Sequence, residues 1–106
     1  MQAPVKPQPI PITMYSTNGR LIIAAPMPGL EPENIRIHVT SDGYLILQGE
    51  LRAMLKEQDG KQRFLEEWHV GAYFREVSLP LPVNAACANV SYGNGVLTLA
   101  FPLSSQ

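Results

Sequence analysis

The 106-residue chain has one cysteine, Cys87. An internal disulfide framework is therefore excluded, and so is a zinc site built on cysteine pairs. Charge of one sign is also scarce: eight Lys+Arg stand against nine Asp+Glu, for a net charge of −1. A nucleic-acid binder relying on one broad basic face is not expected from that balance. No apolar run approaches the length needed to span a bilayer, so no membrane partner is expected. The opening Met1-Gln2-Ala3-Pro4-Val5-Lys6-Pro7 lacks the apolar stretch of a secretory signal, and the expectation is a cytoplasmic protein. Apolar types make up 45% and charged types 16%, the composition of a single globular domain that folds without staples.

What the chain does have is proline at one end and turn dipeptides throughout. Pro4, Pro7, Pro9 and Pro11 crowd the first dozen residues. Each fixes φ and removes an N–H donor, so residues 1–11 read as an extended arm outside the main domain. From residue 12 onward the signal is β. Asn18-Gly19, Asp42-Gly43, Asp59-Gly60 and Asn94-Gly95 each pair a residue tolerant of positive φ with glycine, as tight turns require. Between them lie short segments rich in β-branched and aromatic residues. Strands are expected near 12–16, 20–25, 34–40, 44–49, 64–70, 73–79, 89–92 and 96–101. The cleanest alternation sets Ile35, Ile37 and Val39 on one face and Arg36 and His38 on the other. Seven or eight short antiparallel strands at this spacing predict an all-β, immunoglobulin-like sandwich over residues 12–103. Residues 50–58 contain good helix formers but no strong N-cap, and read as the end of a strand entering a long excursion over 52–71.

Three pieces of sequence, in order, resemble the alpha-crystallin domain of the small heat-shock protein family. Pro26-Met27-Pro28-Gly29 followed by Ile35 is similar to the family's Pro-Gly segment before an alternating strand. Tyr73-Phe74-Arg75-Glu76-Val77-Ser78-Leu79-Pro80 resembles its Phe-x-Arg-x-x-x-Leu-Pro strand. Asn94-Gly95-Val96-Leu97-Thr98-Leu99 resembles its closing Gly-x-Leu motif. The resemblance runs from about Thr13 to Pro102. Two departures stand out: Val90 occupies a place where the family often has alanine, and the sequence ends without the family's C-terminal Ile-x-Ile motif. An excised core domain and a member without assembly arms are both compatible with that ending.

The resemblance implies an ATP-independent holdase that binds partly unfolded clients and limits their aggregation, with no cofactor. Exposed apolar surface and unpaired strand edges are what aggregate, so a protein offering its own edge and apolar groove competes for them. The resemblance also implies a homodimer by strand exchange, and possible larger assemblies, through the 52–71 loop, with Phe64, Leu65, Trp68 and Arg75 at the dimer interface. A groove for clients or arms is expected from Ile35, Ile37 and Val39 with Val90 and Tyr92. The alternatives are a monomeric adaptor domain of the related sandwich type, serving the ninety-kilodalton heat-shock chaperone, and a structural sandwich module.

Individual residues carry rival readings. Ile10-Pro11-Ile12 is an Ile-x-Ile triplet at the wrong end for the family. Ile10 and Ile12 form a docking arm for a neighbour, or they cover this chain's own core, which is the preferred reading. Arg75 either holds Glu66 or Glu67 across the two-fold, or sits solvated beside Glu76. Cys87 is expected as a small buried side chain. His38 and His69 are lone histidines without convergent ligands, so no metal site is expected. No paired carboxylates and no triad emerge, so no catalytic residue is assigned and an enzyme is not expected. Asn89-Val90-Ser91 matches a glycosylation pattern by chance in a strand, and Gly93-Asn94-Gly95 lacks the following helix of a phosphate loop.

Overall fold

The computed structural model of the chain describes residues 8–50, 64 and 72–104. Eight strands lie within them: β1 (Gln8–Pro9), β2 (Thr13–Thr17), β3 (Arg20–Pro26), β4 (Ile35–Val39), β5 (Tyr44–Glu50), β6 (Ala72–Ser78), β7 (Asn89–Gly93) and β8 (Val96–Pro102). They form two four-stranded sheets, in the orders β1-β6-β5-β4 and β2-β3-β8-β7. No α-helix occurs among the described residues; two short 3-10 turns, Pro32–Asn34 and Ala85–Cys87, lead into β4 and β7.

The two Asn-Gly dipeptides build their hairpins as their chemistry requires. Asn18 and Gly19 have φ of 52° and 74°, and Asn94 and Gly95 have 53° and 78°. Two successive left-handed residues match the twist of the flanking strands. The closing pairs are Thr17 with Arg20 and Gly93 with Val96. Asp42-Gly43 sits instead in a longer turn, with Thr40 accepting from the Gly43 N–H and donating its own N–H to Tyr44.

Strand alternation places the core. Leu21, Ile23 and Ala25 of β3, Leu97, Leu99 and Phe101 of β8, and Leu45 and Leu47 of β5 are all buried. Their inward faces meet between the sheets, as in an aligned sandwich. Gly49 continues the buried face of β5, where an added Cβ would run into Leu30 Cδ1 and Met27 Cε. The missing side chain lets the crossover between the sheets lie close against β5.

The end of the proline-rich stretch joins this architecture. Gln8 lies opposite Tyr73 and Pro9 opposite Phe74, in a parallel pair at the edge of the first sheet. Proline fits such an edge because its missing N–H is not needed there. The other pairs are antiparallel. β1 and β6 are not joined by a hairpin, so no turn dictates their direction. Ile10 is fully buried, and Ile12 packs against the same cluster. The triplet Ile10-Pro11-Ile12 thus passes from the edge of one sheet to the edge strand β2 of the other and closes that side of the sandwich with this chain's own side chains.

Candidate functional site

The opposite side of the sandwich is where the edge strands β4 and β7 face each other. Their inward registers are set by pairing: Val90 lies opposite the buried Leu99, and Tyr92 opposite the buried Leu97. Ile35 lies opposite Gly49 and Ile37 opposite Leu47, again on the buried face of β5. These positions point toward the core yet remain partly open, because the two edges do not seal. Val90 keeps 53% of its surface exposed, unusual for an apolar side chain on an inward register. The resulting cleft has a volume of about 220 Å³ and is lined by Pro32, Ile35, Ile37, Val90, Ser91, Tyr92 and Leu97. That is below the roughly 300–1,000 Å³ of small-molecule sites and suits the side chains of an extended peptide better.

Two phenols hold the crossover beside the cleft. Tyr92 Oη donates to the Met27 carbonyl at 2.6 Å, and Tyr73 Oη donates to the adjacent Pro28 carbonyl at 2.8 Å. The Met27 N–H in turn donates to the Gly95 carbonyl at 2.8 Å. One tyrosine comes from each sheet, so the segment leaving β3 is tied to both. Gly95 must stay small here, since a Cβ at its φ of 78° would sit 3.2 Å from Pro28 Cα.

Carboxylates flank Pro32. The hydrogen bond that its protonated carboxyl donates to the Glu33 side chain, then the Glu33 charge, and least its own burial, raise the Glu31 carboxyl above the usual carboxylate value. The Glu31 N–H donates to Asn34 Oδ1 at 3.2 Å, which helps fix the 3-10 turn leading into β4.

Of the groove residues expected from sequence, Ile35, Ile37, Val90 and Tyr92 come together around one cleft, and Val39 lies outside its lining. Val39 pairs with Leu45 at the far end of β4. Pro32, Ser91 and Leu97 join the lining without having been singled out. Leu97 was legible in principle, because it alternates inward one residue after the opening of the closing hairpin. Arg75 lies on the inward register of β6, opposite Leu47, and is half-buried rather than solvated beside Glu76. Its Nη1 donates to the Ile10 carbonyl at 2.8 Å and holds the arm in place. Phe64 is 90% exposed. Leu65, Glu66, Glu67, Trp68 and His69, the Asp59-Gly60 turn, the strand expected over 64–70 apart from Phe64, and the 52–71 loop apart from Phe64 lie outside the described residues. Cys87 is exposed, not buried, because Ala85–Cys87 turns at the surface and leaves Ala88 to pack inward. His38 is exposed on the outward face of β4. Among the described residues no three His, Cys, Asp or Glu side chains are grouped to hold a metal, and no helix is long and apolar enough to cross a membrane.

The sequence profile of the Hsp20/alpha crystallin family matches residues 13–106. The chain belongs to that family. Among curated Hsp20 relatives, it is 34% identical over 77 residues to the 18.8 kDa class II heat shock protein of Ipomoea nil, covering 72% of this chain and 46% of that one. It is 30% identical over 86 residues to an alpha-crystallin of Mycobacterium tuberculosis, covering 81% and 56%. The chain thus spans about half the length of the curated relatives it matches. In fold it is similar to heat shock protein 16.0 from Schizosaccharomyces pombe, with a TM-score of 0.75, 23% identity, and 94% and 70% of the two chains covered. It is also similar to hspA from Xanthomonas axonopodis, with a TM-score of 0.74, 20% identity, and 92% and 96% covered. The two sheets are those of the alpha-crystallin sandwich that the sequence resembles.

Proposed function

We propose that this chain is an ATP-independent holdase that captures partly unfolded segments through the β4–β7 groove. The observation that carries the reading is the inward-facing but open apolar set of Ile35, Ile37, Val90 and Tyr92 between two strand edges that no other described strand pairs. An extended segment entering there finds main-chain donors and acceptors on the edges and a place for alternate aliphatic side chains. The closed side of the sandwich offers an internal precedent: an extended segment bearing alternate isoleucines covers the gap between β6 and β2. Membership of a heat-shock family supports a chaperone role in general terms. Unfolded clients are the partners, no cofactor takes part, and the cytoplasm is the proposed site of action. The test is suppression of client aggregation without nucleotide.

The proposed unit is a homodimer made by strand exchange through the 52–71 loop, with Phe64, Leu65, Trp68 and Arg75 near the contact. A phenylalanine as exposed as Phe64 is a liability in a free chain and gains from a partner. A closed two-fold contact is the commonest arrangement. Deleting residues 56–63 is expected to halve the mass measured by light scattering coupled to gel filtration. A deletion variant that keeps the wild-type mass would place the dimer contact elsewhere. A wild-type chain that is monomeric and gives no protection would favour the adaptor reading.

A further inference from the structure

We infer that the outward face of the β2-β3-β8-β7 sheet is a self-association surface, on which a second copy of this chain packs face to face. Strand register fixes which residues look outward. Leu21, Ile23 and Ala25 of β3 and Leu97, Leu99 and Phe101 of β8 are buried, so the residues alternating with them face away from the core. Two cross-strand rows fill the middle of that face. One runs Tyr15, Ile22, Ala100, Asn89, and the other runs Thr13, Ala24, Thr98, Ser91. Ile22 lies outside the core cluster, and Tyr15 keeps 53% of its surface exposed.

Charge separates the two outer faces of the sandwich. On the β2-β3-β8-β7 sheet, Arg20 at one corner is the only charged residue on an outward register among the described residues. The outward face of the other sheet carries Arg36, Glu50 and Glu76. Charged side chains resist leaving water, whereas an uncharged face with few polar groups loses little when it is covered. A net charge of −1 adds almost no repulsion between copies.

The relief of the face fits a second copy. Tyr15 and Ile22 stand tall on the β2–β3 half, while Ala100 and Asn89 in the same row keep the β8–β7 half low. A two-fold axis parallel to the strands lays β2 over the partner's β7 and β3 over the partner's β8. Tyr15 then meets the partner's Asn89, Ile22 the partner's Ala100, and Ala24 the partner's Thr98. Tall meets short along the row, and the gap between the sheets is even. A two-fold across the strands would instead set β2 on β2 and leave a wedge open at β7. Four strands of five to seven residues present about 400 Å² at the usual strand spacing and rise. Two copies would bury roughly 800 Å², less than the roughly 1,200 Å² of a stable interface. The contact is therefore weak and depends on concentration, and it links units that hold together by other means. Val90 and Tyr92 sit on the opposite registers of β7, so the cleft stays open.

Sedimentation of the full chain from about 10 to about 500 μM tests this contact, a range that suits a small interface. The variants are Ala24→Lys, Thr98→Glu and, as a control, Gln48→Lys on the outward face of the other sheet. The weight-average mass of wild type is expected to rise at least two-fold across the range, and Gln48→Lys is expected to follow it. Ala24→Lys and Thr98→Glu are each expected to stay at the low-concentration mass, because each sets unpaired charge in a face that closes without water. An equimolar mixture of the two is expected to recover the rise, since each lysine then lies over a partner's glutamate. Thr13→Lys with Ser91→Glu, at exposed positions of the same row, repeats the exchange where a central variant fails to fold. A wild-type mass that stays constant overturns the face-to-face contact. So does a rise that either charge variant retains, or one that the mixture of folded variants fails to recover.

Discussion

Ile10→Ala is expected to destabilise the domain by about 2–4 kcal/mol, although the residue lies in a proline-rich stretch that reads as an arm. Ile10 has no exposed surface and shares a cluster with Leu21, Ile23, Leu45, Leu47, Leu99 and Phe101. Truncating it removes apolar burial and leaves a cavity where β1 passes toward β2. The strand it follows is only two residues long and has little pairing of its own to hold it. Among the described residues, the side-chain contact and the Arg75 bond to its carbonyl tie this segment to the sandwich. For a domain this small the loss corresponds to a fall in melting midpoint of about 10 °C or more. Ile12→Ala, at a partly buried position, is expected to cost less. Urea unfolding of the three chains decides the matter. If Ile10→Ala unfolds at the wild-type midpoint, the triplet is not part of the core.

Val90→Glu is expected to do the reverse, sparing the fold and abolishing docking. More than half of Val90 is exposed in the free chain, so a carboxylate there stays hydrated and stability should change by no more than about 0.5 kcal/mol. Once an aliphatic segment covers the groove, the same carboxylate is buried without a partner. A cost of about 2–3 kcal/mol corresponds to a loss of roughly 30- to 150-fold in affinity for an Ile-x-Ile peptide. Glu31 and Glu33 near Pro32 add charge of the same sign and offer no relief. Tyr15→Glu is the matched control. Tyr15 is equally exposed but pairs with Ile22 on the outward face of β2, away from the cleft. Binding by the Val90 variant at wild-type strength would show that the peptide docks elsewhere.

Much of the sandwich was legible because its signals are local. Asn-Gly needs only its own backbone to make a two-residue turn, and both hairpins lie where those dipeptides stand. The alternation of Ile35, Ile37 and Val39 against Arg36 and His38 needs only a strand with one buried face. The groove was legible in part for the same reason: strand parity puts Val90 and Tyr92 on one face and Ile35 and Ile37 on another. Parity does not say how far along a strand the cleft extends, so Val39 was included and Leu97 was not.

What was not legible depends on distant partners. Prolines announce an extended path but not that an edge strand waits beside it, so the joining of Gln8–Pro9 to β6 has no local sign. The sequence leaves Arg75 open between a carboxylate across the two-fold and a solvated place beside Glu76, and has no sign that pairing with Leu47 turns it inward to the Ile10 carbonyl. Cys87 has the small neighbours of a buried site, yet the 3-10 turn that carries it lies at the surface. The crossover bonds of Tyr73 and Tyr92 link residues 45 and 65 positions apart, beyond any periodicity.

The most direct test of the holdase reading is light scattering from a heat-denaturing client, without nucleotide, as increasing amounts of this chain are added. Suppression at near-stoichiometric ratios is expected from the wild-type chain, with Val90→Glu much weaker and Tyr15→Glu unchanged. Undiminished client scattering at every ratio, from a chain shown to be folded, would contradict the claim that this domain acts as a holdase through its groove.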